Sequence, residues 1–293
     1  MTQVATAVCL GESMAVLLPE QPGPLEAVAS FRAAVGGAES NTACALAALG
    51  VPTAWLSRVG DDGFGRRLTA ELAAHGVDTS AVVIDPTRPT GLYVKEVGSP
   101  HRRPHDLGAG HSRLHYYRRG SAASALGPEL LDDPVAARLL AGARLLHLSG
   151  ITAALSGSAL ALLRALLAQR VPGRLVSFDL NWRPALWQGR DPTVLPGLLA
   201  AADLVLLGAD EAARALGTGE PAAPRVLLPG PATVLVKDAE RLVTALGRDG
   251  ERVSERALAV EVVEATGAEG AFAAGNLAGA VGGLGQRRQV RVG

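Results

Sequence analysis

The sequence predicts an α/β protein with a mostly parallel central sheet flanked by helices and a small β-sheet lid. Three observations lead there. An apolar run, Val4 to Leu10, ends sharply at Gly11 and reads as a buried first strand. From Arg144 onward, short apolar runs alternate with helical stretches, the rhythm of parallel strands with helices on both faces. Between these regions, Val82–Ile84, Gly91–Val97 and Arg113–Arg118 alternate polar and apolar residues, as exposed antiparallel strands do.

The elements follow in order. Ser40 to Leu49 is a helix closed by Gly50, with Pro52 just beyond. Thr53 to Val59 is the next strand, and Gly63 to His75 an amphipathic helix stopped by Gly76. The later strands are Arg144–Leu148, Arg174–Asp179, Asp203–Leu207 and Thr233–Lys237. The helices between and after them are Ser156–Gln169, Pro192–Ala202 and Asp210–Leu216. Arg241–Gly247 and Glu251–Arg256 form a hairpin across Arg248–Gly250, and Thr266–Ala280 is a helix of small residues. Gly98 to Ser112 is a polar Pro/Gly-rich loop. His101, His105 and His111 lie in it without an acidic or cysteine cluster, so it reads as solvated and not as a metal site.

At 293 residues, the chain is expected to form a single domain over 1–293, with lid segments near 12–18, 90–97 and 113–118. Lys+Arg and Asp+Glu are both 28, and this balance argues against a nucleic-acid or membrane-surface partner, which would need basic excess. Lys95 and Lys237 are the only lysines, so a lysine ending a late strand stands out. Cys9 and Cys44 lie in apolar runs and read as reduced thiols of a cytoplasmic protein. The N-terminus has no basic segment before its apolar run, and no apolar run reaches the ~18 residues of a membrane span.

Several nucleotide and hydrolase signatures are absent. There is no GxxxxGK[ST], no GxGxxG after the first strand, no GxSxG and no HExxH. One segment offers another device: Val262-Val263-Glu264-Ala265-Thr266-Gly267-Ala268-Glu269-Gly270-Ala271-Phe272. A strand ends at a small-residue turn that opens a helix. Backbone N–H groups at such a start cradle an anion, helped by the helix dipole. On its own the segment reads equally well as a tight strand–helix turn.

This segment resembles the C-terminal signature of the ribokinase (PfkB) family, D-T-x-G-A-G-D-x-F. The resemblance implies a ribokinase-like fold, with turn amides as the anion hole and the last Asp as the base that deprotonates the sugar hydroxyl. Gly267 and Ala268 match, Glu269 replaces a Gly, and Gly270 stands where the catalytic Asp belongs. Gly270 has no side chain and cannot be a base. Glu269 could serve only if the turn rearranges, because neighbouring helical residues point about 100° apart.

The opening region carries the resemblance further. Gly36-Gly37-Ala38-Glu39-Ser40-Asn41, then Gly60-Asp61-Asp62-Gly63-Phe64-Gly65, follow the family in order. By that match Gly36, Gly37 and Asn41 line the sugar. His115-Tyr116-Tyr117-Arg118-Arg119-Gly120-Ser121-Ala122-Ala123-Ser124 is similar to the YYR-x-x-SAAS stretch of 2-keto-3-deoxygluconate kinases. This similarity assigns Tyr93, Tyr116 and Arg118 to a sugar acid. Asp179-Leu180-Asn181-Trp182-Arg183 resembles the D-x-N-x-R segment, which adds Arg183. A planar guanidinium suits a carboxylate. On the nucleotide side the resemblance implies Asn181, Glu211, Lys237 and Gly267, with ATP and Mg2+ as cofactors. Gly208 and Ala239 depart from the family pattern there.

The function expected is ATP-dependent phosphorylation of 2-keto-3-deoxygluconate or a related sugar acid, impaired by Gly270, with a homodimer formed through the lid. The alternative is a catalytically degenerate sugar-binding protein of the same fold.

Overall fold

The computed structural model describes residues 6–101, 103–218, 223–238, 242–256 and 268–282. Its strands are β1 (Ala7–Leu10), β2 (Met14–Pro19), β3 (Phe31–Gly36), β4 (Thr53–Leu56), β5 (Arg58–Gly60), β6 (Val83–Asp85), β7 (Leu92–Val97), β8 (Ser112–Tyr117), β9 (Leu145–Ser149), β10 (Leu175–Asp179), β11 (Leu204–Gly208), β12 (Thr233–Lys237), β13 (Leu242–Gly247) and β14 (Arg252–Arg256). Its α-helices are α1 (Ala38–Ala48), α2 (Gly63–Ala74), α3 (Pro134–Gly142), α4 (Gly150–Leu155), α5 (Gly157–Ala168), α6 (Pro184–Trp187), α7 (Leu195–Ala200), α8 (Ala209–Leu216), α9 (Ala223–Leu227) and α10 (Ala268–Val281).

An eight-stranded sheet runs β14-β13-β12-β11-β10-β9-β1-β4. Pairing is parallel from β4 to β12 and antiparallel across the β12–β13–β14 hairpins. Alternate residues of the strands feed two cores. Val8, Leu146, Phe178 and Val205 face Leu139, Leu162 and Leu198 of α3, α5 and α7. Cys9, Leu145, Leu204 and Leu235 share the other core with Leu46, Leu68 and Leu277 of α1, α2 and α10. Burial on both faces explains why these strands read as unbroken apolar runs.

The second sheet has four strands in the order β3-β2-β7-β8. Met14, Val16 and Tyr93 form its small core, with Leu18 and Ala34 packed alongside. This sheet uses the segments expected for the lid, and adds β3, which the sequence reading missed. Phe-Arg-Ala-Ala-Val-Gly has no clear period of two, and only its pairing with β2 makes it a strand.

Other expectations need correction. Thr53–Val59 is not one strand. The chain leaves the main sheet after Leu56, and Arg58–Gly60 pairs in parallel with β6. Val82–Ile84 was expected to be antiparallel, but β6 takes that parallel partner because Asp85 is tied down. Its carboxylate accepts from Arg58 Nε at 2.9 Å and from the Thr87 and Arg88 amides at 2.8 and 3.0 Å. Pro192–Ala202 splits into a 3-10 turn, Pro192–Val194, and α7. Helices α3 and α4 were not anticipated; α3 starts where Asp133 Oδ1 caps the Val135 and Ala136 amides at 2.9 and 2.8 Å. The Thr266–Ala280 expectation holds from Ala268; Thr266 and Gly267 lie outside the described residues.

His147 sits inside the second core, with Nδ1 3.2 Å from Ser177 Oγ, and burial brings its pKa down to about 4. The unfolded chain therefore binds a proton near pH 6.5 that the native chain refuses until about pH 4. The unfolded state holds more protons in that window, so stability falls as pH drops through it. The full loss is about 3 kcal/mol. Urea denaturation at pH 7 and pH 4.5 should show this slope, and His147→Gln should flatten it.

Candidate active site

Strand order reverses at β1, with β4 on one side and β9 on the other. Open α/β sheets place ligands in the crevice beyond the carboxyl ends of strands at such a point. Several candidate residues stand at those strand ends. Glu12 follows β1, Asn181 and Arg183 follow β10, Glu211 opens α8 after β11, and Lys237 ends β12.

Gly36 and Gly37 enter α1 directly over the Glu12–Ser13 backbone. A Cβ on Gly37 would stand 2.3 Å from the Glu12 carbonyl oxygen, and one on Gly36 would stand 2.9 Å from Tyr93 Oη. Only glycine permits that approach. The sequence read these two residues as a sugar loop; the structure adds that they clasp β1's end against Tyr93. Asn41 is half-buried on the first turn of α1, and its amide donates to Gly37 O at 2.9 Å.

Tyr93 and Tyr116 are cross-strand neighbours on β7 and β8, with ring centroids 5.5 Å apart. Arg118 follows β8, with its guanidinium carbon 5.8 Å from the Tyr116 ring centroid. The Arg118 side chain is only 9% exposed, and its Nη2 pairs with Glu12 Oε2. Ser121 Oγ donates to Glu12 Oε1 at 2.7 Å. The Asp62 carboxylate, in the VGDDGFG string, accepts from the Gly65 amide at 2.7 Å and the Thr90 amide at 2.8 Å. That string therefore fixes the α2 start and the Thr90–Gly91 approach to Arg118.

A second buried carboxylate lies close by. Glu39 accepts from Ser149 Oγ at 2.5 Å and from Thr152 Oγ1 at 2.9 Å. Burial pushes its pKa up, while those hydroxyls and the nearby Arg118 charge pull the other way. Glu12 and Glu39 escaped the sequence reading as functional residues. The one signal was their position: an acid directly after the first apolar strand, and an acid inside the glycine motif.

Arg183 pairs with a different carboxylate. Its Nη1 donates to Glu211 Oε1 at 3.0 Å and to the Trp182 carbonyl at 3.0 Å. Glu211 Oε2 accepts from the Gly208 amide at 3.1 Å, closing the start of α8. The structure thus joins Arg183 to Glu211, while Arg118 groups with Glu12 and Tyr116. Asn181 takes a left-handed backbone with φ 40° and is buried, and its Oδ1 has no partner among the described residues. Such strain and an unspent acceptor mark functional positions. Lys237 Nζ lies 5.3 Å from the centroid of the Phe272 ring, linking the β12 end to α10.

Gly267 lies outside the described residues, as do the side chains of Ala268 and Glu269. Gly270 is buried on the first turn of α10. A Cβ there would stand 2.9 Å from Asn41 Cβ and 3.1 Å from the Thr42 amide nitrogen.

The family model for pfkB carbohydrate kinases matches residues 4–293. The chain belongs to the PfkB family of carbohydrate kinases. Among curated PfkB-type relatives, a 2-dehydro-3-deoxygluconokinase of Bacillus subtilis is 33% identical, over 98% of this chain and 86% of that protein. One from Thermoproteus tenax is 39% identical over 69% of this chain, and that match spans 57% of the Thermoproteus protein. A PfkB protein from Polaromonas sp. JS666 has a crystal structure with TM-score 0.83 and 34% identity, covering 98% of this chain and 92% of that one. A putative ribokinase II from E. coli, solved with ATP and Mg2+, shares the fold at TM-score 0.83 and 21% identity, covering 98% of this chain and 89% of that one. As a PfkB chain, this protein carries the mostly parallel, helix-flanked sheet and second small sheet expected of it.

Proposed function

We propose that this PfkB chain is an ATP-dependent kinase of 2-keto-3-deoxygluconate or a closely related sugar acid. The observation that carries the reading is Arg118. It is a buried guanidinium between the Tyr116 ring and Glu12, whose backbone Gly37 packs against, in a chain two of whose relatives are named for that sugar acid. Arg118, Tyr93 and Tyr116 hold the sugar, with Gly36, Gly37 and Asn41 beneath it. Arg183 reaches the sugar carboxylate from the nucleotide side, with Glu211 fixing its reach. Asn181, Lys237 and Gly267 serve the nucleotide, and Gly267 to Gly270 the transferring phosphoryl. The unspent Asn181 Oδ1 suits a hydroxyl donor of the nucleotide.

Magnesium fits the described residues less well. Both Glu211 oxygens already have partners, and among the described residues no group of three His, Cys, Asp or Glu could hold a metal ion. Magnesium would enter with the phosphates of ATP, so no protein step is routed through it. The lid sheet ends in edge strands that expose Phe31, Leu114, Tyr116 and Tyr117, which supports a homodimer through the lid. Cys9 and Cys44 are free thiols and support a cytoplasmic place.

Separate calorimetric titrations with 2-keto-3-deoxygluconate and with ATP test the reading, together with ADP release when both are present. Binding of both with turnover is expected. Binding of neither would end the assignment. A second reading, sugar binding without phosphoryl transfer, is favoured by Gly270, and sugar binding without ATP binding would support it.

A further inference from the structure

We propose that Glu12 is a positioning residue that sets the preference for an acidic sugar by fixing the Arg118 guanidinium. The inference rests on the sugar-acid reading above and adds a residue to it.

Arg118 is enclosed on several sides. Glu12 Oε2 pairs with its Nη2, and the Tyr116 ring lies 5.8 Å from its guanidinium carbon. At Gly91, a Cβ would stand 2.9 Å from Glu12 Oε1 and 3.4 Å from Arg118 Cβ, so the backbone there is pressed against the pair. Glu12 is itself held. Its side chain is 0% exposed, it accepts from Ser121 Oγ at 2.7 Å, and Gly37 packs on its backbone. Arg118 Nε and Nη2 and Glu12 Oε2 are all buried without a hydrogen-bond partner among the described residues, so the two side chains meet as an ion pair and the guanidinium keeps unspent donors. A carboxylate ligand needs two N–H groups in a fixed fork. An arginine stem alone leaves that fork free to turn. The Glu12 ion pair, with Gly91 and the Tyr116 ring close on the same group, removes that freedom. Glu39 feels the Arg118 charge, but its Oε1 accepts from Ser149 and Thr152, and the carboxylate in ion-pair contact with Arg118 is that of Glu12.

Deleting the Glu12 charge would mix two effects of opposite sign: a looser fork, and a stronger net attraction for an anion. Glu12→Asp separates them. It keeps the charge and withdraws the carboxylate by one methylene from a group that cannot follow. The probes are 2-keto-3-deoxygluconate and 3-deoxyfructose, the same carbon chain with the carboxylate reduced to an alcohol. Glu12→Asp should weaken calorimetric binding of the acid at least about tenfold, the scale of one lost charge-assisted bond. Binding of 3-deoxyfructose should change less than about twofold by the same reasoning. In an Arg118→Gln background, Glu12→Asp should no longer affect acid binding. Circular dichroism checks that each variant is folded, and Ser121→Ala, which loosens Glu12 without changing its charge, replaces Glu12→Asp if the latter is not. Its acid-to-neutral affinity ratio must then change in the Arg118 background and not in the Arg118→Gln background.

Unchanged acid affinity in Glu12→Asp, or equal losses for both sugars, would overturn the inference while leaving the sugar-acid reading intact. A parent chain that binds no sugar acid would overturn both.

Discussion

The Gly270→Asp variant should phosphorylate 2-keto-3-deoxygluconate about 10²–10⁴-fold faster than the parent chain, since a positioned general base contributes on that order. The geometry at Gly270 supports both the gain and its cost. The Cβ direction points at the first turn of α1, toward Asn41 and Thr42, which follows the Gly36–Gly37 loop. A carboxylate leaving Gly270 that way lies against the first turn of α1, beside Asn41, one of the residues proposed to line the sugar. It also meets Asn41 Cβ at 2.9 Å, so α1 and α10 must part by a few tenths of an ångström. Overpacking of this kind costs about 1–3 kcal/mol. The variant should therefore be faster and less stable, measured as kcat from ADP release and as the urea midpoint. Equal turnover in the two chains would mean that another group takes the proton, with Glu269→Gln as the next test. No turnover in either chain would favour the binding-only reading.

Arg118→Met should lose about 3–5 kcal/mol of stability, because it strands Glu12 as a buried, uncompensated charge. The side chains of the pair are 9% and 0% exposed, so water cannot take over from the missing partner. The double variant Glu12→Gln/Arg118→Met should recover more than half of that loss. A buried ion pair repays its desolvation only in part, so removing both charges is milder than removing one. Chemical denaturation of the parent, both single variants and the double measures the coupling directly. A double variant as unstable as the sum of the singles would show that the two side chains do not act together.

The contrast between the two arginines shows where sequence reading ran out. Arg118 and Arg183 sit in equally family-like strings, and both were assigned to one sugar carboxylate. The structure gives each its own glutamate, Glu12 for one and Glu211 for the other. Neither pairing could be read from spacing, since Glu12 and Arg118 lie on different strands' ends and 106 positions apart. Gly270 raised a similar limit. The resemblance puts Gly270 where the family carries its base. That α1 packs closely against that place became visible only with α10 docked on α1. The strands β9 to β12 were legible because burial on both faces leaves a strong local trace. The strand β3 was not, because it depends on a partner supplied by β2.

By itself, the sequence determined the layered α/β architecture, the positions of its later parallel strands and the glycine and tyrosine motifs that place the chain among sugar kinases. Those are local properties: apolar period, turn residues and short strings. The tertiary structure alone decided which charges meet in the crevice, that Glu12 holds Arg118, and that Asn181 carries backbone strain with an unspent oxygen. Such facts depend on packing between distant segments. There, removal of water makes each buried charge require a partner that no local pattern names.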